Sequence, residues 1–60
     1  MLNMEQIILK MDPQVQDGLI RHSIHTGHND QLQRLIEIIS TTRDPVQLEQ
    51  LVQAERALLG

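Results

Sequence analysis

The sequence predicts an all-α domain of three to four short helices, arranged as one or two antiparallel αα-hairpins and packed against a partner or a second copy. Three observations predict this class. Apolar residues recur at the spacing of amphipathic helices, two Asp-Pro pairs have the form of helix starts, and no segment shows the period-two alternation of a half-buried strand. Because the chain has only 60 residues, we expect a single domain over residues 1–60.

The first two helices have recognisable starts. Asn3, with a glutamine three residues later, has the spacing of a capping box and opens a helix over about residues 4–11. Asp12 can accept hydrogen bonds from the free amides of a second helix, and the proline after it suits the first helical position because its missing N–H has no partner there. This helix is expected to run over residues 13–25, and Gly27 supplies its stop.

The third helix is predicted to be capped by Asn29 or Asp30 and to continue to about Thr41. The fourth opens at Asp44 with proline at the first position, and it reaches Leu59. Both have apolar residues at the i, i+3, i+4, i+7 spacing of one helix face. These residues are Leu32, Leu35, Ile36 and Ile39 in the third helix, and Leu48, Leu51, Val52, Leu58 and Leu59 in the fourth.

Composition restricts how the chain can be stabilised and what it can bind. It contains no cysteine and no aromatic residue, so disulfides and thiolate metal sites are excluded and the core must be aliphatic. Small scaffolds without such supports often depend on oligomerisation. The net charge is −3 and the basic residues are scattered along the chain, so we do not expect nucleic acid as a partner. The sequence predicts neither a signal peptide nor a membrane span, so we expect a cytoplasmic protein.

The first helix carries more apolar side chains than one core can cover. Three aliphatic residues follow one another, and consecutive residues lie about 100° apart around a helix, so a neighbouring element cannot bury all of them. We therefore expect this surface to bind a partner, since large uncovered apolar patches mark interaction sites. The residues predicted to contact the partner are Met4, Ile7, Ile8, Leu9, Met11, Ile38 and Glu55.

Glu55 belongs to this set because it falls in the apolar stripe of the fourth helix. A carboxylate on an apolar face is costly unless it is paired. One interpretation is a specificity contact to a basic group on the partner. The alternative is that Glu55 reaches water or meets Arg21 within the fold.

The only pattern that could suggest a metal is formed by His22, His25 and His28. Neutral imidazole is a good zinc ligand, and two histidines three residues apart on a helix could approach one ion. Histidine is also favoured at helix C-termini, where its protonated form complements the helix dipole. The spacing matches no defined zinc motif, so we predict no metal and no cofactor. We also predict no catalytic residues, because Ser23 next to His22 lacks an orienting third group and a pocket.

The function predicted from these observations is a non-enzymatic helical protein–protein interaction module that self-associates or acts as a small adaptor. The fourth helix, which starts Asp44-Pro45-Val46-Gln47, resembles the co-chaperones of needle subunits in bacterial type III secretion systems over at most the last 30 residues. That resemblance implies a chaperone-like role. The alternative is a small transcriptional regulator or DNA-binding accessory protein, in which the turn around Gly27 would belong to a helix-turn-helix.

Overall fold

A computed structural model describes all 60 residues, Met1–Gly60, and contains four helices and no strand. The helices are α1 (Met4–Lys10), α2 (Pro13–Thr26), α3 (Asn29–Ile39) and α4 (Pro45–Leu59). The all-α prediction is therefore confirmed. No helix has both the length and the apolar character needed to cross a membrane.

Two of the predicted N-terminal caps are present. The Asn3 side chain accepts from the backbone N–H of Gln6 at 2.8 Å, and the Gln6 side chain accepts from the backbone N–H of Asn3 at 3.1 Å, which completes the capping box of α1. At α4, the Asp44 carboxylate accepts from the backbone N–H of Val46 at 3.0 Å. These bonds pair N–H groups that would otherwise be left free in the first turn.

The starts of α2 and α3 differ from the sequence-based expectation. Asp12 occupies the N-cap of α2, but its side chain makes no capping hydrogen bond. The N-cap of α3 is His28 rather than Asn29 or Asp30, because the backbone N–H of Leu32 already donates to the His28 carbonyl at 3.0 Å. The hydrogen-bond ladder of α3 therefore begins one residue earlier than expected, and its start has no side-chain cap.

The C-terminal ends of α2 and α3 have different causes. Gly27 ends α2 with φ of 74°, a left-handed conformation in which a side chain would be strained. After α3, the hydroxyl groups of residues 40–42 donate to the carbonyls of residues 37–39 at 2.8 to 3.1 Å. Such bonds compete with helical pairing, and α3 ends at Ile39 instead of continuing to Thr41.

The core is aliphatic and has α3 at its centre. Helix α3 packs against α1, α2 and α4, and it supplies four of the eight buried core residues, whereas α1 supplies only one. The core residues are Ile8, Ile20, Leu32, Leu35, Ile38, Ile39, Leu48 and Val52. Of the apolar side chains of α1, Ile8 is buried and Leu9 packs against the core, whereas Met4 and Ile7 remain exposed.

Two polar side chains are buried beside this core. The Gln16 side-chain amide donates to the Ile8 carbonyl at 2.8 Å and thereby joins α2 to the last turn of α1. The Ser23 hydroxyl, also buried and also on α2, has no hydrogen-bond partner. The Gln16 amide therefore stabilises the contact between two helices, whereas the Ser23 hydroxyl has lost its hydration without gaining a hydrogen bond.

Two ion pairs link α2 to the C-terminal half of the chain. The Arg43 guanidinium, in the loop before α4, donates to the Asp17 carboxylate at 2.8 Å. Arg21 Nε lies 2.9 Å from Glu55 Oε1, which connects α2 to α4. Together they reinforce the packing of α2 against the second half of the chain.

Candidate functional site

An apolar groove lies where α1, α2 and α3 meet. It has a volume of about 400 Å³, and six of its eight lining residues are hydrophobic. The lining residues are Met4, Ile8, Met11, Leu19, Gln31, Arg34, Leu35 and Ile38. We refer to it as the α1 groove.

The α1 side of the groove follows from helix periodicity. Met4, Ile8 and Met11 are spaced i, i+4, i+7, so they lie along one side of α1 and its C-cap. Ile8 is only 4% exposed because it faces the core, whereas Met4 is 70% exposed. The same side of α1 therefore contributes both the floor of the groove and a projecting wall.

The α3 side repeats this spacing. Gln31, Leu35 and Ile38 follow i, i+4, i+7, with Arg34 beside them. Leu35 and Ile38 are buried core residues, whereas Gln31 and Arg34 are exposed. The floor of the groove is thus made of side chains that the core already holds in place. An exposed amide and an exposed guanidinium flank it.

Four of the seven residues predicted to contact a partner line the α1 groove, namely Met4, Ile8, Met11 and Ile38. Ile8 and Ile38 belong to the core, so they offer only their edges to a ligand. Ile7 does not line the groove but is 41% exposed next to it on α1, and Leu9 packs against the core. Met4 and Ile7 are thus the large apolar side chains of α1 that remain exposed.

Glu55 lies away from the groove. Its side chain is 16% exposed and is held by Arg21 on α2. The fold therefore pairs the carboxylate that interrupts the apolar stripe of α4, as one of the two interpretations of the sequence expected. We leave Glu55 out of the candidate surface for this reason.

The sequence-based reasoning missed the α2 and α3 residues that complete the groove, which are Leu19, Gln31, Arg34 and Leu35. The sequence does show that Gln31 and Leu35 are spaced i, i+4 and that Ile38 follows one turn later, so these three residues could have been placed on one face of α3. What the sequence could not provide was the side of α3 on which α1 packs. That side is fixed by the tertiary contact and not by periodicity.

Two other recesses are less suited to a ligand. The largest, of about 540 Å³, is lined by the five consecutive residues Gly27–Gln31 at the start of α3 and has no hydrophobic lining. Another, of about 390 Å³, lies between α3 and α4 and has six polar or proline residues among eight. The first is a polar depression along one turn of chain, and the second lacks a continuous apolar floor.

The three histidines do not form a metal site in the structure. No group of three or more His, Cys, Asp or Glu side chains lies close enough together to hold an ion. His22, His25 and His28 are all exposed, at the end of α2 and at the N-cap of α3.

The chain exposes more surface than a compact monomer of its size. Its accessible surface is 4450 Å², whereas about 4,000 Å² is typical for a monomer of this mass. The molecule is elongated, with extents of 39 × 22 × 18 Å.

The α1 groove is the candidate binding site because it combines an apolar floor of core residues with projecting apolar side chains. Comparison with known proteins found no matching family model, curated protein or solved structure.

Proposed function

We propose that this protein is a non-enzymatic, cytoplasmic helical interaction module, with an adaptor or chaperone-like role, that binds an amphipathic helix in the α1 groove. The observation that supports this most directly is the exposed Met4 side chain beside a groove whose floor consists of core residues. Laying the apolar face of a helix into such a groove is a common mode of peptide recognition.

Burial of the exposed α1 side chains provides the driving force. Met4 is 70% exposed and Ile7 is 41% exposed. Full burial of one such side chain is worth about 1.5–3 kcal/mol, so covering the exposed parts of both contributes roughly 2 kcal/mol. The apolar side chains of the bound helix add a similar term. Methionine also adapts its shape to different partners, which suits an adaptor.

The polar residues of the groove indicate the chemistry of the bound helix. Arg34 is exposed and takes part in neither of the ion pairs of the protein. An acidic residue beside the apolar stripe of the partner would pair with it. We therefore propose a partner helix with Leu, Ile or Met at i, i+3/i+4 and i+7 and with Glu or Asp at the edge of that stripe.

No comparable observation favours the DNA-binding alternative. Arg21 and Arg43 are engaged by carboxylates. The remaining basic residues, Lys10, Arg34 and Arg56, lie on three different helices. Nucleic-acid binding proteins usually carry a basic patch on one face.

The proposal is tested with a fluorescently labelled, 18-residue model helix that has leucine on one face and glutamate at its edges. Fluorescence anisotropy measures its affinity for the wild type, for Met4→Glu and for the control Val46→Glu. Val46 is 60% exposed on α4, outside the groove, so its substitution introduces the same charge without touching the site.

We expect the wild type and Val46→Glu to bind the helix with similar affinity. Met4→Glu should weaken binding at least tenfold, because it removes apolar contact and places a charge against the acidic edge of the probe. Circular dichroism of each variant checks that the fold is retained. The proposal is wrong if the wild type does not bind the probe, or if Met4→Glu and Val46→Glu bind it equally well.

A further inference from the structure

We propose that Met4 is an oxidation site that controls binding in the α1 groove: a peroxide converts its thioether to a sulfoxide, and the groove then binds a helix less tightly. This inference deepens the proposed function and rests on it, because it concerns the regulation of the same site.

The composition confines mild oxidation to three side chains. Peroxides react with thiol and thioether sulfur, and the chain has three methionines and no cysteine. It also has no tryptophan and no tyrosine. No thiol therefore competes for the oxidant, and the sulfur atoms at which it reacts are those of Met1, Met4 and Met11.

Two of these three methionines line the α1 groove, namely Met4 and Met11. Met4 is 70% exposed, and it is the only apolar lining residue of the groove that is exposed. Met11 is half-buried, whereas Met1 lies outside the groove and is fully exposed. Because oxidation follows exposure, an oxidant in solution reaches Met4 nearly as readily as Met1, and Met11 more slowly.

The chemical step transfers one oxygen atom. The Met4 sulfur attacks one peroxide oxygen, the O–O bond breaks as the S–O bond forms, and hydrogen peroxide is left as water. The sulfur loses two electrons and the peroxide gains them. Methionine sulfoxide reductases restore the thioether with two electrons from a dithiol and release the oxygen as water, so the change is reversible.

A sulfoxide on Met4 changes the exposed wall of the groove and leaves its floor intact. The S–O oxygen is a hydrogen-bond acceptor that is hydrated in the free protein. It loses this hydration when the apolar face of a helix packs against it, which is costly without a new partner. The remaining apolar residues of the lining, apart from Met11, are aliphatic and do not react. Oxidation therefore weakens the contact that the exposed wall makes with a bound helix.

The test treats the wild type, Met4→Leu and Met11→Leu with hydrogen peroxide, which is removed before the model helix of the previous section is added. Fluorescence anisotropy measures the affinity before and after treatment. Leucine conserves the volume and apolar character of methionine, so each variant keeps the groove and loses one sulfur. Met1 is present in all three proteins and is the matched control for oxidation outside the groove.

Peptide mass spectrometry gives the oxidised fraction at each methionine, from an increase of about 16 Da per sulfoxide. We expect Met4 to be oxidised at a rate close to that of Met1 and faster than Met11. Circular dichroism before and after treatment checks that the helices are retained.

Oxidation should weaken binding by the wild type and by Met11→Leu about three- to tenfold. This is less than the effect of Met4→Glu, because a sulfoxide carries no charge. Met4→Leu should bind with the same affinity before and after treatment. Reductases for both sulfoxide epimers should restore the affinity of the oxidised wild type.

Three results would overturn the inference: a Met4 that resists oxidation while Met1 reacts, an oxidised wild type that binds as tightly as the untreated one, or a Met4→Leu variant that loses affinity on treatment as the wild type does. The untreated protein separates these failures from failure of the proposed function. An untreated wild type that does not bind the model helix excludes both. An untreated wild type that binds, with an affinity that oxidation of Met4 leaves unchanged, excludes the oxidation site alone.

Discussion

The buried Gln16 amide makes a specific prediction about how α1 is held. Its side chain donates a hydrogen bond to the Ile8 carbonyl at 2.8 Å. This is the one hydrogen bond between α1 and α2 that involves a side chain. Gln16→Met keeps a side chain of similar length and volume but removes the donor. Gln16→Glu keeps the shape but places a carboxylate against a carbonyl oxygen.

The structure gives different magnitudes for the two substitutions. In Gln16→Met, the Ile8 carbonyl still accepts from the Met11 backbone N–H at 3.2 Å. The carbonyl is therefore not left unpaired, and the free energy of unfolding should fall by about 1 kcal/mol, the net value of one hydrogen bond. In Gln16→Glu, no hydrogen-bond donor faces the buried carboxylate, and the free energy of unfolding should fall by about 3 kcal/mol or more.

Thermal unfolding followed by circular dichroism at 222 nm, at one fixed protein concentration, distinguishes these cases. For a domain of this size, Gln16→Met should lower the Tm by about 4–8 °C. Gln16→Glu should be largely unfolded at room temperature, because a core this small rarely supplies more than about 3–5 kcal/mol. Equal Tm values for Gln16→Met and the wild type, or for Gln16→Met and Gln16→Glu, would refute this account of the contact.

Three further predictions concern residues of α2 and its C-cap, and the same melts measure them. Gly18→Ala should stabilise the protein by about 0.5–1 kcal/mol, because Gly18 lies inside α2 with open space where the methyl group would go. Gly27→Ala should destabilise it by about 1–2 kcal/mol, since φ is 74° there; a gain in stability would contradict the left-handed C-cap. Ser23→Ala should stabilise by about 1 kcal/mol, because it removes a buried hydroxyl that has no partner. A loss of stability would show that the hydroxyl is hydrogen-bonded after all.

Helix positions were largely predictable from the sequence because local signals determine them. The Asn3 capping box and the Asp44-Pro45 start involve residues within one turn of each other, and both appear as expected. The exceptions arise where local signals compete. The hydroxyl residues after Ile39 bond back to the preceding carbonyls and end α3 early, and Asp12 leaves its predicted capping role unused.

The site was only partly predictable because it depends on which helix faces pack together. The run of apolar residues in α1 indicated surplus apolar surface, and Met4 and Ile7 are exposed. The run could not show that Ile8 alone would be buried, or that α3 would supply the opposite wall with Arg34. The ion pair of Glu55 with Arg21 was one of the outcomes that the sequence left open, because it joins residues 34 positions apart in the chain. No short-range pattern specifies such a contact.

The limited attachment of α1 affects the fraction of molecules in which the groove is formed. Helix α1 has only 7 residues, and Ile8 in the core, Leu9 at its margin and the Gln16 hydrogen bond hold it in place. We therefore expect α1 to detach from the remaining three helices at a lower free energy than global unfolding requires. While α1 is detached, the wall formed by Met4 is gone and the groove is absent. The apparent affinity of any ligand is then the intrinsic affinity reduced by the fraction of molecules in which α1 is docked. Binding strength in this protein is therefore set partly by a local equilibrium that involves no contact with the ligand.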